Sequence, residues 1–223
     1  MMRMRPLLAM AALLLPAAAS AGGGYQSLWI DRSPDVKGSL EESVRALQMY
    51  GRCVLRRDAA RVDALLATAP GSADEQTLSK QIVDRDGSGC LGNNASLRGD
   101  DKLFRGSLAE AVYRRRYMAA DAVALDGAMK ASPSTDFADV VSKFADCVVA
   151  GNPAQIRALF ASEPMSVEEK AAVGALSPGF APCIDPTQQL RLNKAILRAI
   201  LASATVDRLR KTASGTLAMS SGR

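Results

Sequence analysis

The sequence contains no histidine. That absence excludes a Ser-His-Asp or Cys-His catalytic arrangement within the chain, and it excludes zinc, copper or haem iron held by imidazole. Any acid–base chemistry falls to Asp, Glu, Lys or Tyr. Aromatic residues are scarce, at 4%; alanine and leucine dominate, a balance that suits helices better than strands. No Cys-x-x-Cys occurs, so the spacing of a thioredoxin-like redox pair is missing. No segment sustains period-two alternation, and no sheet is expected. Beyond residue 21 no run is long and apolar enough to cross a bilayer.

What is present begins with an export signal. Arg3 and Arg5 supply a positive start, Pro6 to Ala19 an apolar stretch, and Ala19-Ser20-Ala21 a small-residue cleavage site. Residues 1–21 therefore read as a signal peptide, with the remainder in the periplasm or secreted and no transmembrane segment left after cleavage. No cysteine sits at the cut, which argues against a lipoprotein. Removing Arg3 and Arg5 leaves 26 basic residues against 23 acidic, a formal charge of +3. So mild a bias does not read as a nucleic-acid partner.

The remainder carries an internal repeat. Cys53 and Cys90 are 37 residues apart, Cys147 and Cys183 are 36 apart, and an offset of 94 superimposes Cys53 on Cys147. The segments then read CVLRRDAARVDALLATAPGSADE and CVVAGNPAQIRALFASEPMSVEE, identical at nine of 23 positions. The punctuation repeats too. Asp58 falls on Asn152, each a candidate N-cap, with Pro153 at the first helical position. Pro70 and Pro164 end the preceding helix. Ser72 with Glu75, and Ser166 with Glu169, each spell a capping box. Past the second cysteine the offset is 93, which places Arg105 on Arg198 and Leu108-Ala109 on Leu201-Ala202. The expected fold is all-α: two tandem four-helix units, each closed by one disulfide. Helices are expected near 39–56, 59–68, 73–84 and 100–117, then 136–150, 153–162, 167–176 and 188–210. Around them lie an irregular lead-in at 22–38, an alanine-rich linker at 118–133 that extends a helix, and a frayed tail at 211–223. Unit one spans 39–117 and unit two 134–210.

Four cysteines allow three pairings, and the repeat favours Cys53–Cys90 with Cys147–Cys183. Closing a loop of that length contributes on the order of 4 kcal/mol in the chain-entropy model. Other candidate sites are few. Arg98 and Arg105, and Arg191 and Arg198, are each seven residues apart and share a helical face, so they could form a duplicated site for a small anionic ligand. The competing reading is ion pairing within each unit, with Glu75 and Glu169. The loop 84–91 resembles half of an EF-hand, with Asp84, Asp86 and Ser88 as ligands, but Ala95 stands where the bidentate glutamate belongs. Arg114-Arg115-Arg116 suits a helix C-terminus. Glu110 is the one carboxylate in LAEAVY, and its counterpart is Ser203.

The pattern C-V-L…D…V…LL…P…S…E with LFRGSLAEAVY resembles uncharacterised exported helical proteins of alphaproteobacteria, particularly sphingomonads, over about 45–117 and more weakly over 140–209. The resemblance implies a periplasmic helical protein and no catalytic activity. The functional expectation is a non-enzymatic binding or structural protein that takes a protein or small anionic ligand in the groove between its units and needs no cofactor. The alternatives are a carboxylate-dependent hydrolase and a calcium-responsive protein acting through the 84–91 loop.

Overall fold

The computed structural model describes residues 29–32, 40–84, 89–90, 95–98, 100–131, 139–187 and 190–220. The signal peptide, most of the lead-in, and Asp86 and Ser88 of the acidic loop lie outside them. The helices are α1 (Leu40–Arg57), α2 (Ala59–Ala67), α3 (Ala73–Asp84), α4 (Asp101–Arg116), α5 (Ala122–Lys130), α6 (Val140–Gly151), α7 (Pro153–Ala161), α8 (Val167–Leu176) and α9 (Lys194–Ser220). Two 3-10 turns, Ser177–Gly179 and Ala181–Cys183, follow α8. The fold is all-α in its core, and both expected disulfides, Cys53–Cys90 and Cys147–Cys183, are formed. Among the described residues no helix is long and apolar enough to cross a membrane.

Local chemistry accounts for most element ends. Glu41 and Glu42 open α1, and Arg56 and Arg57 close it, as the helix dipole favours. Asp58 accepts the Arg61 N–H at 3.1 Å and starts α2. Ser72 and Ser166 accept the N–H of Glu75 and Glu169 at 3.2 and 3.0 Å. Each glutamate reaches back, but one residue farther than a standard capping box, to the N–H of Gly71 and Met165. Those two residues are equivalent at the 94-residue offset, and both are left-handed, with φ of 78° and 64°. Asn152 departs from its expected role. It makes no side-chain bond to α7; its amide donates to the Val148 carbonyl at 3.0 Å and closes α6 instead.

Three further features differ from the sequence reading. Backbone bonding pairs β1 (Trp29–Arg32) antiparallel with β2 (Ala95–Arg98), Trp29 opposite Arg98. Each strand is only four residues long, too short to sustain the alternation by which a strand is read from sequence. Residues within 118–133 do not extend α4. A turn intervenes, Asp121 caps α5 by accepting the Ala124 N–H at 2.9 Å, and α5 packs on α6, α7 and α9 with Leu125 and Met129 buried. Finally, α9 continues through Ser220, past the expected end at 210.

The two halves share one core. Leu65, Leu108 and Val112 on one side join Ile156, Leu159, Phe160, Leu201 and Val206 on the other, all fully buried. The junction is the crossing of α4 and α9, and it is tight: a Cβ on Gly106 would lie 2.3 Å from the Ala199 Cβ. Gly106 and Ala199 are 93 residues apart, the offset that superimposes the last helices of the two units. Two positions that correspond at that sequence offset thus touch each other. The halves meet through this crossing and not as two separate bundles.

Candidate functional site

Two arginines bracket the crossing. Arg105 on α4 is buried, and its guanidinium faces the end of α2. Its Nη1 donates to the Leu65 carbonyl at 3.0 Å, and its Nη2 to the carbonyls of Leu66 and Thr68, both at 3.1 Å. These carbonyls lie in the last turn of α2 or just beyond it, where intrahelical donors run out. The same guanidinium meets Glu75 at 3.4 Å and Asp207 at 3.5 Å, and its Nε donates to Ser203 Oγ at 2.7 Å.

Arg198 on α9 repeats the arrangement at the end of α7. Nη2 donates to the Ser162 carbonyl at 2.9 Å, and Nη1 to Glu169 at 2.9 Å. Nε and Nη2 grip Glu110 in a fork, both bonds at 2.7 Å. Three partners correspond at the offsets of the sequence repeat, Thr68 with Ser162, Glu75 with Glu169, and Ser203 with Glu110, while the Leu65, Leu66 and Asp207 contacts of Arg105 have no counterpart at Arg198. In each unit the capping-box glutamate gives one oxygen to backbone and the other to arginine. One clamp therefore fixes a helix end, a helix start and the crossing helix of the other unit.

The second clamp holds more charge. Glu110 also accepts from Arg114 at 2.9 Å and from the buried Gln48 amide at 3.1 Å. Arg114 donates to the Ser162 carbonyl at 2.7 Å, beside Arg198. Phe160 lies under the Arg198 guanidinium, 5.8 Å from its centre. Burial pulls the Arg198 guanidinium down, but the bonds to Glu110 and Glu169 prevail and hold it above the ordinary arginine value. Burial pushes the neighbouring Tyr113 hydroxyl up to about 12, with Arg157 opposing and Asp126 reinforcing. At neutral pH this phenol stays protonated.

A third arginine, Arg208, was not singled out from sequence. Its Nε donates to the Met129 carbonyl at 2.6 Å, and its Nη1 pairs with the buried Asp146 at 2.6 Å, tying α5 and α6 to α9. Asp146 was visible as a lone carboxylate in the apolar VVSKFADCVV stretch; Arg208 carried no comparable signal.

The duplicated anion site is not assembled. Arg105 and Arg198 have every guanidinium nitrogen bonded to protein acceptors, so neither fork is open to a ligand. Arg191 is exposed ahead of α9, and the Arg98 side chain lies outside the described residues. Ion pairing with Glu75 and Glu169 is what the structure contains. Nor is Arg114-Arg115-Arg116 a bare basic face: beyond Arg114, Arg115 donates to the Leu55 carbonyl at 3.2 Å and Arg116 forks onto Asp63 with two bonds of 2.8 Å. Among the described residues no three acidic or cysteine side chains gather to hold a metal. Glu110 and Glu169 are 1% and 2% exposed and bridged by one arginine. Chemically, the arrangement serves to hold helices in register. No protein-family model, no curated protein and no solved structure matches the chain.

Proposed function

We propose that this is an exported, extracytoplasmic helical protein, built from two copies of one four-helix unit, that acts as a binding or structural module through its surface rather than as an enzyme. The observation that carries the reading is the use made of the buried charges. A carboxylate hydrolase needs two acids in an open cleft, one of them held protonated. Here Glu110 and Glu169 share Arg198, far from solvent. The equivalent contacts of Arg105 and Arg198 support descent of both units from one. The two disulfides, with the Arg3/Arg5 start and the Ala19-Ser20-Ala21 motif, support an oxidising compartment outside the cytoplasm.

The test has two parts. Fractionation of cells expressing the chain should place it outside the cytoplasm, shortened by the N-terminal segment and with no thiol open to alkylation before reduction. Complementation of a deletion strain by Glu110→Gln, selected for retained folding, should restore whatever phenotype the deletion causes. A folded Glu110→Gln protein that fails to complement would instead make Glu110 a chemical participant. The calcium alternative rests on the loop at 84–91, and a calcium-dependent rise in Tm would establish it.

A further inference from the structure

We propose that the chain exchanges halves with a second copy of itself, α5–α9 of one molecule docking on α1–α4 of the other, through straightening of the turn between α4 and α5. The covalent divide lies at Tyr117–Asp121, because α5 packs on α6, α7 and α9. Both disulfides stay within one side of that divide, Cys53–Cys90 before it and Cys147–Cys183 after it. No disulfide resists separation of the two sides.

The turn itself is built from helix-forming residues. Tyr117-Met118-Ala119-Ala120-Asp121 contains neither glycine nor proline, and alanine and methionine rank among the best helix formers. Tyr117 still has right-handed helical backbone, φ −117° and ψ −21°. The bend is held by two backbone bonds, Met118 N–H to the Tyr113 carbonyl at 3.1 Å and Ala120 N–H to the Tyr117 carbonyl at 2.9 Å, and by the Asp121 cap on α5. Met118, Ala119 and Ala120 are exposed, so of the apolar residues in the turn only the half-buried Tyr117, beside Tyr113, touches the core. Local preference therefore favours one helix from 101 to 130, and docking across the crossing enforces the bend. A second copy offers the same docking surface. Every junction contact, including Arg198 with Glu110 and Arg105 with Ser203, would re-form between chains, so exchange leaves their sum unchanged.

The experiment uses the purified chain with both disulfides formed, unfolded in guanidinium and refolded over a range of concentrations. Light scattering behind size exclusion should show a dimer whose fraction rises with concentration. Ala119→Gly/Ala120→Gly, which penalises the straight helix in both chains, should lower the dimerisation constant tenfold or more. Asp121→Ala, which removes the cap on the bend, should raise it about tenfold. Exchange is separated from ordinary dimerisation by a thiol crosslink between α2 and α9, where Arg210 Nη1 reaches the Asp63 carbonyl at 3.1 Å. A chain with Asp63→Cys and a chain with Arg210→Cys, refolded together, should crosslink between chains in the dimer. The double variant in one chain should crosslink internally in the monomer, as a control of geometry. A chain that stays monomeric throughout, a dimer without the 63–210 link, or a dimer indifferent to the glycines overturns the proposal.

Discussion

Replacing Arg198 by methionine keeps most of the aliphatic volume and removes the charge at the centre of the second clamp. Glu110 retains Arg114 and Gln48. The Glu169 carboxylate retains the Met165 N–H bond but loses its charged partner. Removing one member of a buried pair costs about 3–5 kcal/mol, because the other charge stays buried without compensation. Arg198 serves two carboxylates at 2.7 and 2.9 Å, which puts the expected loss in the upper part of that range. Arg105→Met should cost less, roughly 2–3 kcal/mol: its acidic partners are more distant, at 3.4 and 3.5 Å, and Asp207 keeps 28% of its side chain in solvent. Both losses are large against a domain stability of about 5–15 kcal/mol. The assay is guanidinium unfolding with disulfides intact, read as a shift in midpoint at constant slope. A second variant isolates the cause. Glu169→Gln keeps an acceptor for the Met165 N–H and removes the charge, so in the Arg198→Met background it should recover about 1–2 kcal/mol. A loss under about 1 kcal/mol, or a loss unaffected by Glu169→Gln, would refute the argument that this clamp holds the halves together.

Four other outcomes follow from the geometry. Gly106→Val should destabilise by about 1–3 kcal/mol or more, since even its Cβ would lie 2.3 Å from the Cβ and 2.4 Å from the Cα of Ala199, and Ala199→Gly, which leaves that backbone in place, should not restore it. Gly71→Ala meets nothing within 4 Å and isolates the left-handed backbone at φ 78°; the expected cost is about 1–2 kcal/mol in the same unfolding assay. The bond from Arg157 holds the Asp126 carboxyl below the ordinary carboxylate range. Its contribution is present above the unfolded-state value and is lost as pH falls through the folded one; because the pair is partly exposed it is under about 1 kcal/mol, and Asp126→Asn should flatten that part of the acid profile. Reducing both disulfides should remove on the order of 4 kcal/mol each at most, seen as a large drop in Tm that reoxidation reverses.

Sequence reasoning reached the features whose partners are close along the chain. Ser72 with Glu75 and Ser166 with Glu169 interact across one helical turn, so their spacing announced them. The disulfides were legible because the repeat supplied the pairing. Asn152 does hold the N-cap position of α7, but it also ends α6, and composition does not say which of the two helices its amide will serve. The place of α5 depended on Arg208, 79 residues from the Met129 carbonyl it binds, and nothing local encodes that contact. Glu110 marks the boundary of what could be read. Its isolation among apolar residues was visible, and so was its replacement by Ser203 in the second unit. That asymmetry argued against a duplicated active site, yet it also hid the role the two positions share. Each is the acceptor for the arginine of the opposite unit, one at 2.7 Å through a hydroxyl and the other through a two-bond carboxylate fork. Contacts between residues 88 and 98 positions apart leave no local trace in the sequence. They become visible only where α4 and α9 cross at Gly106 and Ala199, a glycine and an alanine that admit the close approach on which the other contacts depend.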